Sequence, residues 1–424
     1  MNPEDESVSP PETGGTPDRQ RLHKNVLVLG VVSALNDMAS EVAIRTIPLY
    51  LANVLGVKTA MIGLIEGVAE STSTLLKLVA GIVSDRMGRR KPLTLLGFGL
   101  SNLMKPLLFF AQSWPTVLAL RFLDRVGKGI RTAPRDALLA DSVSAEDRGR
   151  AFGFNRSMDP IGAIAGLAVA AVLVYFGEGE GTLLTEGTYR TLVLLATVPA
   201  FLCILVLALA VAEPSVRRPL QKKFTLRGTL PPGFLRFLAA VFVFNLSATS
   251  DAFLVLRAQE IGLPLWVTFA LVGLMNVTLA FVSFPSGVLS DRLGRRRFLA
   301  AGWVIFGLML LGFAYATTAV HLAGLFVLYG LYLGLTEGVE KALLTDLAPE
   351  ESRGTAFGYF QVVVGVAALP ASLITGILWQ WFGSHTAFVA GAVLAVLGAV
   401  LLAFVPTVPR QDSQIAAPTA TTNG

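Results

Sequence analysis

Cutting this 424-residue chain at its charged and Pro/Gly-rich breaks leaves about twelve apolar stretches of roughly 20 residues or more, the length that crosses a bilayer as an α-helix. No other feature restricts the fold as much. Lipid offers a backbone no hydrogen-bond partners, so such segments are helices or strands of a closed barrel. Few of them show the strict alternation of a lipid-facing strand. Only 15% of the residues are charged and 53% are hydrophobic, whereas a soluble chain carries about a quarter charged residues. The expectation is an all-α polytopic membrane protein with spans near 25–53, 60–84, 92–113, 115–142, 150–176, 189–212, 235–259, 264–290, 298–317, 321–347, 354–382 and 385–406.

The net charge of +5 raises the question of nucleic acid, and its distribution answers it. Lys and Arg gather in turns that would all face one side: Arg19, Arg21 and Lys24, the turns after spans two and eight, Arg148 and Arg150, and the segment after span six. The alternate turns at 112–114, 177–187, 317–321 and 383–385 hold neither Lys nor Arg. This asymmetry is the positive-inside pattern, which predicts cytoplasmic termini in a bacterial-type plasma membrane and no nucleic-acid role. The single cysteine, Cys203, excludes an intramolecular disulfide. The acidic, Pro-containing start is the reverse of a cleavable signal.

Polar composition predicts disordered tails at 1–20 and 408–424. Between the sixth and seventh spans, Arg217, Arg218, Lys222, Lys223 and Arg227 precede Pro231-Pro232-Gly233. That makes 213–233 a cytoplasmic linker between two six-helix bundles, 21–212 and 234–407. Two internal repeats support the halving. Gly81-Ile-Val-Ser-Asp85-Arg86-Met-Gly88-Arg89-Arg90-Lys91 recurs 206 residues later as Gly287-Val-Leu-Ser-Asp291-Arg292-Leu-Gly294-Arg295-Arg296-Arg297. Ala137-Leu-Leu-Ala-Asp141 followed by Arg148-Gly-Arg-Ala-Phe-Gly153 recurs 205 residues later from Ala342 to Gly358. Parallel halves about an axis along the membrane normal are a common transporter plan, with the binding site between them near the midplane.

At these residues the chain resembles the major facilitator superfamily. Its Gly-x-x-x-Asp-Arg-x-Gly-Arg-Arg signature lies between spans two and three, with an unusually complete echo between spans eight and nine. A weaker element on the fourth span, Arg-x-x-x-Gly, is Arg125 to Gly129, with Lys128 and Arg131 departing from the usual small or amide residues. The resemblance implies a fold of twelve helices in two pseudosymmetric bundles and alternating access by rocking of the halves.

Within the repeated turn, Asp85 and Asp291 can face the N-terminal end of a helix in the opposite half, near Gly354 or Gly149, where the helix dipole favours a carboxylate. Arg86, Arg89, Arg292 and Arg295 can add ion pairs, and Gly88 and Gly294 permit the tight turn. These contacts would latch the cytoplasmic side shut. The alternative is that the arginines only enforce topology, but topology requires neither aspartate.

Charges inside spans are costly and face a cavity or one another. Asp37, Glu41 and Arg45 share one face of the first span. Glu66, Glu70 and Lys77 share a face of the second, with Glu66 shallow and set aside. The fourth span carries Arg121, Asp124, Arg125, Lys128, Arg131, Arg135 and Asp136, and the tenth carries Glu337, Glu340 and Lys341. The 205-residue offset sets Arg135 against Glu340 and Asp136 against Lys341, signs exchanged. Gate and permanent ion pairing are both open readings there. Asp37, Glu41, Arg45, Glu70, Lys77, Arg121, Asp124, Arg125, Lys128, Asp159 and Asp251 are the candidate substrate or proton site, with Asp37 the first choice for the proton.

No nucleotide loop, nucleophile triad or metal-ligand cluster is present in the sequence, so neither an enzyme nor an ATP-driven pump is expected, and no cofactor or metal. The reading is a monomeric secondary transporter of a small polar, charged solute, coupled to protons. A proton-driven drug-efflux antiporter is the alternative within transport. A transporter-like sensor or assembly scaffold is the alternative outside it.

Overall fold

The computed structural model describes residues 23–144, 146–213, 231–348 and 353–406, and within these the side chains of 284–288, 291, 292 and 353 are outside the described set. Both expected tails and nearly all of the expected linker therefore lie outside the described residues, as do the side chains of Asp291 and Arg292.

Every regular element among the described residues is helical: α1 Lys24–Asn53, α2 Thr59–Met87, α3 Lys91–Leu107, α4 Trp114–Asp141, α5 Arg148–Glu178, α6 Glu186–Ala210, α7 Pro232–Ser247, α8 Asp251–Glu260, α9 Leu265–Leu293, α10 Arg295–Tyr315, α11 Ala319–Leu347 and α12 Arg353–Ala403, with a short 3-10 turn after α3. Local chemistry sets many of the ends. Proline occupies the first helical turn of α3, α4 and α7, where its missing N–H is not needed. The hydroxyls of Thr185, Ser250 and Thr318 accept from the first-turn amides of α6, α8 and α11. Gly88 ends α2 with φ 63°, a left-handed conformation that glycine adopts without steric cost.

One span departs from one helix per traverse. The seventh is interrupted at 248–250, so α7 and α8 are its two pieces. The range labelled α12 holds two helices, separated by the non-helical Gly383 (φ 85°, ψ 166°) at the turn expected from 383 to 385. Counted by traverse, these elements make twelve spans. Nine helices of the described residues are long and apolar enough to cross a membrane, with α7 and α8 counted together; α2 and α4 are not among them. Those two carry the densest intramembrane charge.

The first six helices pack on one another through α1 with α5 and α6, α3 with α4 and α6, and α2 with α4. The remaining helices form the second bundle through α7, α10 and α11 against α9 and α12. The bundles meet where α2 packs on α12, α5 on α9, and α1 on α8. Calling the end with the α2–α3 turn the basic end, the bundles are joined most tightly at the opposite end. There the Thr59 hydroxyl donates to the Gly376 carbonyl at 3.1 Å. Gly63 lies against the Ser372 carbonyl so closely that a Cβ would collide with it, and Gly67 lies against Leu369. Leu265 N–H donates to the Gly181 carbonyl at 2.9 Å, and the Gln259 amide to the Thr182 carbonyl at 2.9 Å.

Candidate functional site

The charged faces of α1, α2 and α4 converge between the bundles because a charge in hydrocarbon is costly unless paired or hydrated. A cavity of about 290 Å³ lies there, lined on one side by Glu41, Arg45, Glu66, Glu70, Arg125 and Lys128. The other side is the α7–α8 break with Asp251, together with Ala368 and Ser372 of α12. Thus Glu41, Arg45, Glu70, Arg125, Lys128 and Asp251, six residues expected from sequence, meet at one cavity.

Arg45 is 5% exposed and bridges the halves. Its Nε donates to Glu41 at 3.0 Å and its Nη1 to Asp251 at 2.7 Å. The Tyr329 hydroxyl donates to the other oxygen of Asp251. The break in the seventh span is what makes this possible: it starts α8 at Asp251, so that carboxylate sits at a helix N-terminus beside Arg45.

Behind the cavity lies a second, drier cluster. Arg121, 2% exposed, donates to both oxygens of Glu66, at 2.9 Å to Oε2 and 3.1 Å to Oε1. Asp124 accepts from Ser101 at 2.5 Å and stands 3.6 Å from Arg121, 3.8 Å from Lys105 and 3.9 Å from Arg125. Glu66, set aside as shallow in the sequence reading, is instead 6% exposed and paired. Lys105 and Tyr329 were missed as well. A lone lysine in an otherwise apolar third span was the available signal for Lys105; a tyrosine in an apolar helix offered none.

Asp37 and Asp159 lie in a third group nearer the basic end. Asp37 accepts from Asn36 at 2.8 Å, and the buried Oδ1 of Asp159 has no hydrogen-bond partner among the described residues. Arg135 donates to Ser33 at 3.2 Å and to Asp136 at 3.0 Å. Arg131 is buried over the Phe98 ring at 4.3 Å, a cation–π contact. Lys77 is half-buried on α2.

At the basic end the repeated turn ties itself to its own half. Arg90 pairs with Asp85 at 2.7 Å and with Asp141 at 3.6 Å. The backbone amides of Arg90 and Lys91 donate to Glu213 at 2.6 and 2.8 Å. Arg86, Gly88 and Arg89 are exposed on the turn. In the second copy Gly294 has φ 89° and Arg295 pairs with Asp346 at 2.7 Å. The exchanged-sign residues are engaged within their own halves: Arg135 with Asp136, Lys341 with Glu337 at 3.0 Å, while the buried Oε1 of Glu340 has no hydrogen-bond partner among the described residues. Arg156 crosses between the halves to pair with Glu337.

The family model described as Major Facilitator Superfamily matches residues 29–283 and 237–422. An uncharacterized MFS-type transporter of Methanocaldococcus jannaschii is 37% identical over 397 residues, covering 92% of this chain and 96% of that protein. The arabinose-proton symporter of Escherichia coli K12 is 31% identical over 155 residues, 36% of this chain and 31% of its own length. A crystal structure of a mutant of the nucleoside transporter NupG superposes with a TM-score of 0.77 at 13% identity, covering 89% of this chain and 98% of that one. With two bundles of membrane helices, a charged cavity between them and a family match over nearly the whole length, this chain belongs to the major facilitator superfamily of multi-pass membrane transporters.

Proposed function

We propose that this protein is a proton-coupled secondary transporter that carries a small, polar, charged solute by alternating access. The observation that carries the reading is the cavity, because both halves line it and its walls are charged. Fixed charge at that depth is expensive, and rocking of two bodies about such a site would expose it to each side in turn. The halves, 21–212 and 234–407 with 213–233 as their linker, are the two bodies.

The glycine-mediated closure at the end opposite the basic turn supports an inward-facing state with both termini cytoplasmic, given the positive-inside distribution of Lys and Arg. In that state Asp85 pairs with Arg90 of its own turn, which fits an open latch. On closing the cytoplasmic side, Asp85 and Asp291 would engage the opposite half, and Arg131, Arg135 and Asp136 would meet Glu337, Glu340 and Lys341.

Asp37 is the proposed proton carrier, close enough to Asp159 and Arg131 to feel both charges, and Glu70 is the second. The likeness to an arabinose-proton symporter supports proton coupling. The test is reconstitution into proteoliposomes containing a pH-reporting dye, challenged with pools of small polar metabolites. Solute-dependent proton movement is expected, and it should be lost in Asp37→Asn or Glu70→Gln. If both variants kept the wild-type response, the proton assignment would fall. Binding without flux would favour a sensor over a transporter.

A further inference from the structure

The charges around the cavity are unevenly paired. Arg45 is shared by two carboxylates, Glu41 and Asp251, and Glu66 is held by Arg121. On the α2–α4 wall the balance is reversed. Arg125 is 5% exposed, its buried Nε has no hydrogen-bond acceptor among the described residues, and Asp124 at 3.9 Å is already held by Ser101, Lys105 and Arg121. Lys128 lines the same cavity and, among the described residues, has no carboxylate within 4.0 Å. Glu70 lies in the field of Lys128 and Arg125 but likewise forms no ion pair within 4.0 Å among the described residues.

Two cations therefore share one unpaired carboxylate on this wall of the cavity. Lys77, two turns along the same face of α2 toward the basic end, adds to the surplus. A buried guanidinium with an unused donor is costly unless an acceptor arrives. The facing wall carries hydroxyls beside Asp251, whose two oxygens are taken by Arg45 and Tyr329. Thr249, in the α7–α8 break, has a buried hydroxyl with no hydrogen-bond partner among the described residues, and Ser372 of α12 lines the same cavity. A volume of about 290 Å³ is at the small end of the ~300–1,000 Å³ typical of ligand pockets.

We propose that the solute is a small hydroxylated organic anion whose carboxylate or phosphate docks between Arg125 and Lys128, with its neutral polar part against Thr249 and Ser372. This rests on the transport reading above and adds the sign and shape of the cargo. Lys128 is the informative residue, since it lines the cavity and has no carboxylate within 4.0 Å among the described residues. Glu70 then competes with the solute for the same cations, so its removal should tighten binding. A merely structural role for Glu70 would give the opposite sign.

The experiment is calorimetric titration of the full-length protein in detergent with lactate, malate and glycerol 3-phosphate, and with glucose and choline as neutral and cationic probes. At least one of the three anions should bind, and its headgroup separates carboxylate from phosphate. Lys128→Gln should weaken that binding about ten- to a hundredfold, from the worth of a charged hydrogen bond, and Lys128→Arg should restore it. Glu70→Gln should tighten it. Should Lys128→Gln fail to fold, Glu70→Gln still decides. Binding of glucose or choline alone, no binding by any of the five, unchanged affinity in folded Lys128→Gln, or weaker anion binding in Glu70→Gln would each overturn the proposal. Anion binding without flux in proteoliposomes would keep the docking site and remove the transport reading. Flux of a neutral or cationic solute would do the reverse.

Discussion

At the repeat offset of 205 residues, Ser101, Lys105, Arg121 and Asp124 of the first half stand where Phe306, Leu310, Phe326 and Tyr329 stand in the second. The backbone frame around them is the same. Gly97 packs against Arg131 of α4, and its counterpart Gly302 packs against Thr336 of α11, again 205 residues on. Inside that shared frame the first half is filled with ion pairs and the second with stacked rings. Phe244 lies on Trp303 at 4.1 Å, and Phe306 lies 4.5 Å from Tyr332.

The second half thus demonstrates that these positions can be packed without charge. Replacing a buried ion pair by well-packed apolar groups is often neutral or stabilising. Stability alone therefore gives no reason for keeping Arg121, Glu66, Asp124 and Lys105, and the asymmetry concentrates these buried charges in the first half. The two sides still touch: Tyr329, the aromatic counterpart of Asp124, donates to Asp251, which holds Arg45 of the first half.

The strongest way to break this comparison is to unpair the charged side. Arg121→Ala should cost about 3–5 kcal/mol, because it strands a buried Glu66 carboxylate, as read by denaturant unfolding in detergent. The double variant Arg121→Leu with Glu66→Leu should recover most of that stability while abolishing flux. Retained flux in the double variant would mean that the charges only pack. On the aromatic side, Phe306→Ala should cost roughly 3 kcal/mol through the space it opens, with the proton dependence of transport unchanged among molecules that remain folded. An altered proton dependence there would erase the division of labour. The smallest effect is expected from Tyr329→Phe, about 1–2 kcal/mol for one hydrogen bond to a carboxylate. Spin-label distances across the α1–α8 contact should broaden as the Arg45–Asp251 link loosens; unchanged distances would show that Tyr329 does not steady it.

Much of this architecture was legible from periodicity and charge. Apolar run length identified the membrane helices, and the paired turns exposed the duplication. The charged face of α2 and the run of charges on α4 pointed to the interface, since charged residues in a span have few other places to go. Pairing was not legible. Glu66 reads as shallow in sequence, and yet α4 brings Arg121 against it. The seventh span reads as one helix in sequence because the break at 248–250 holds no proline or glycine; the polar run Ser247 to Asp251, with Ser250 as the cap of α8, is the local signal for it. The turn expected at 383–385 is where the structure breaks the helix, at Gly383 with φ 85° and ψ 166°.

By itself, the sequence determined what must be local or additive: helices where apolar runs are long enough, turns where glycine and arginine end them, and two halves where motifs recur at one offset. It also determined which residues cannot face lipid, because the cost of a bare charge in hydrocarbon does not depend on the neighbour eventually found. Tertiary structure decided the partners: Arg45 to Asp251, 206 residues away, Arg121 to Glu66, and Arg125 and Lys128 to no close carboxylate beyond Asp124 among the described residues. Such pairings depend on distances of a few ångströms between helices far apart in the chain, set by how the bundles pack, and no period or composition encodes them.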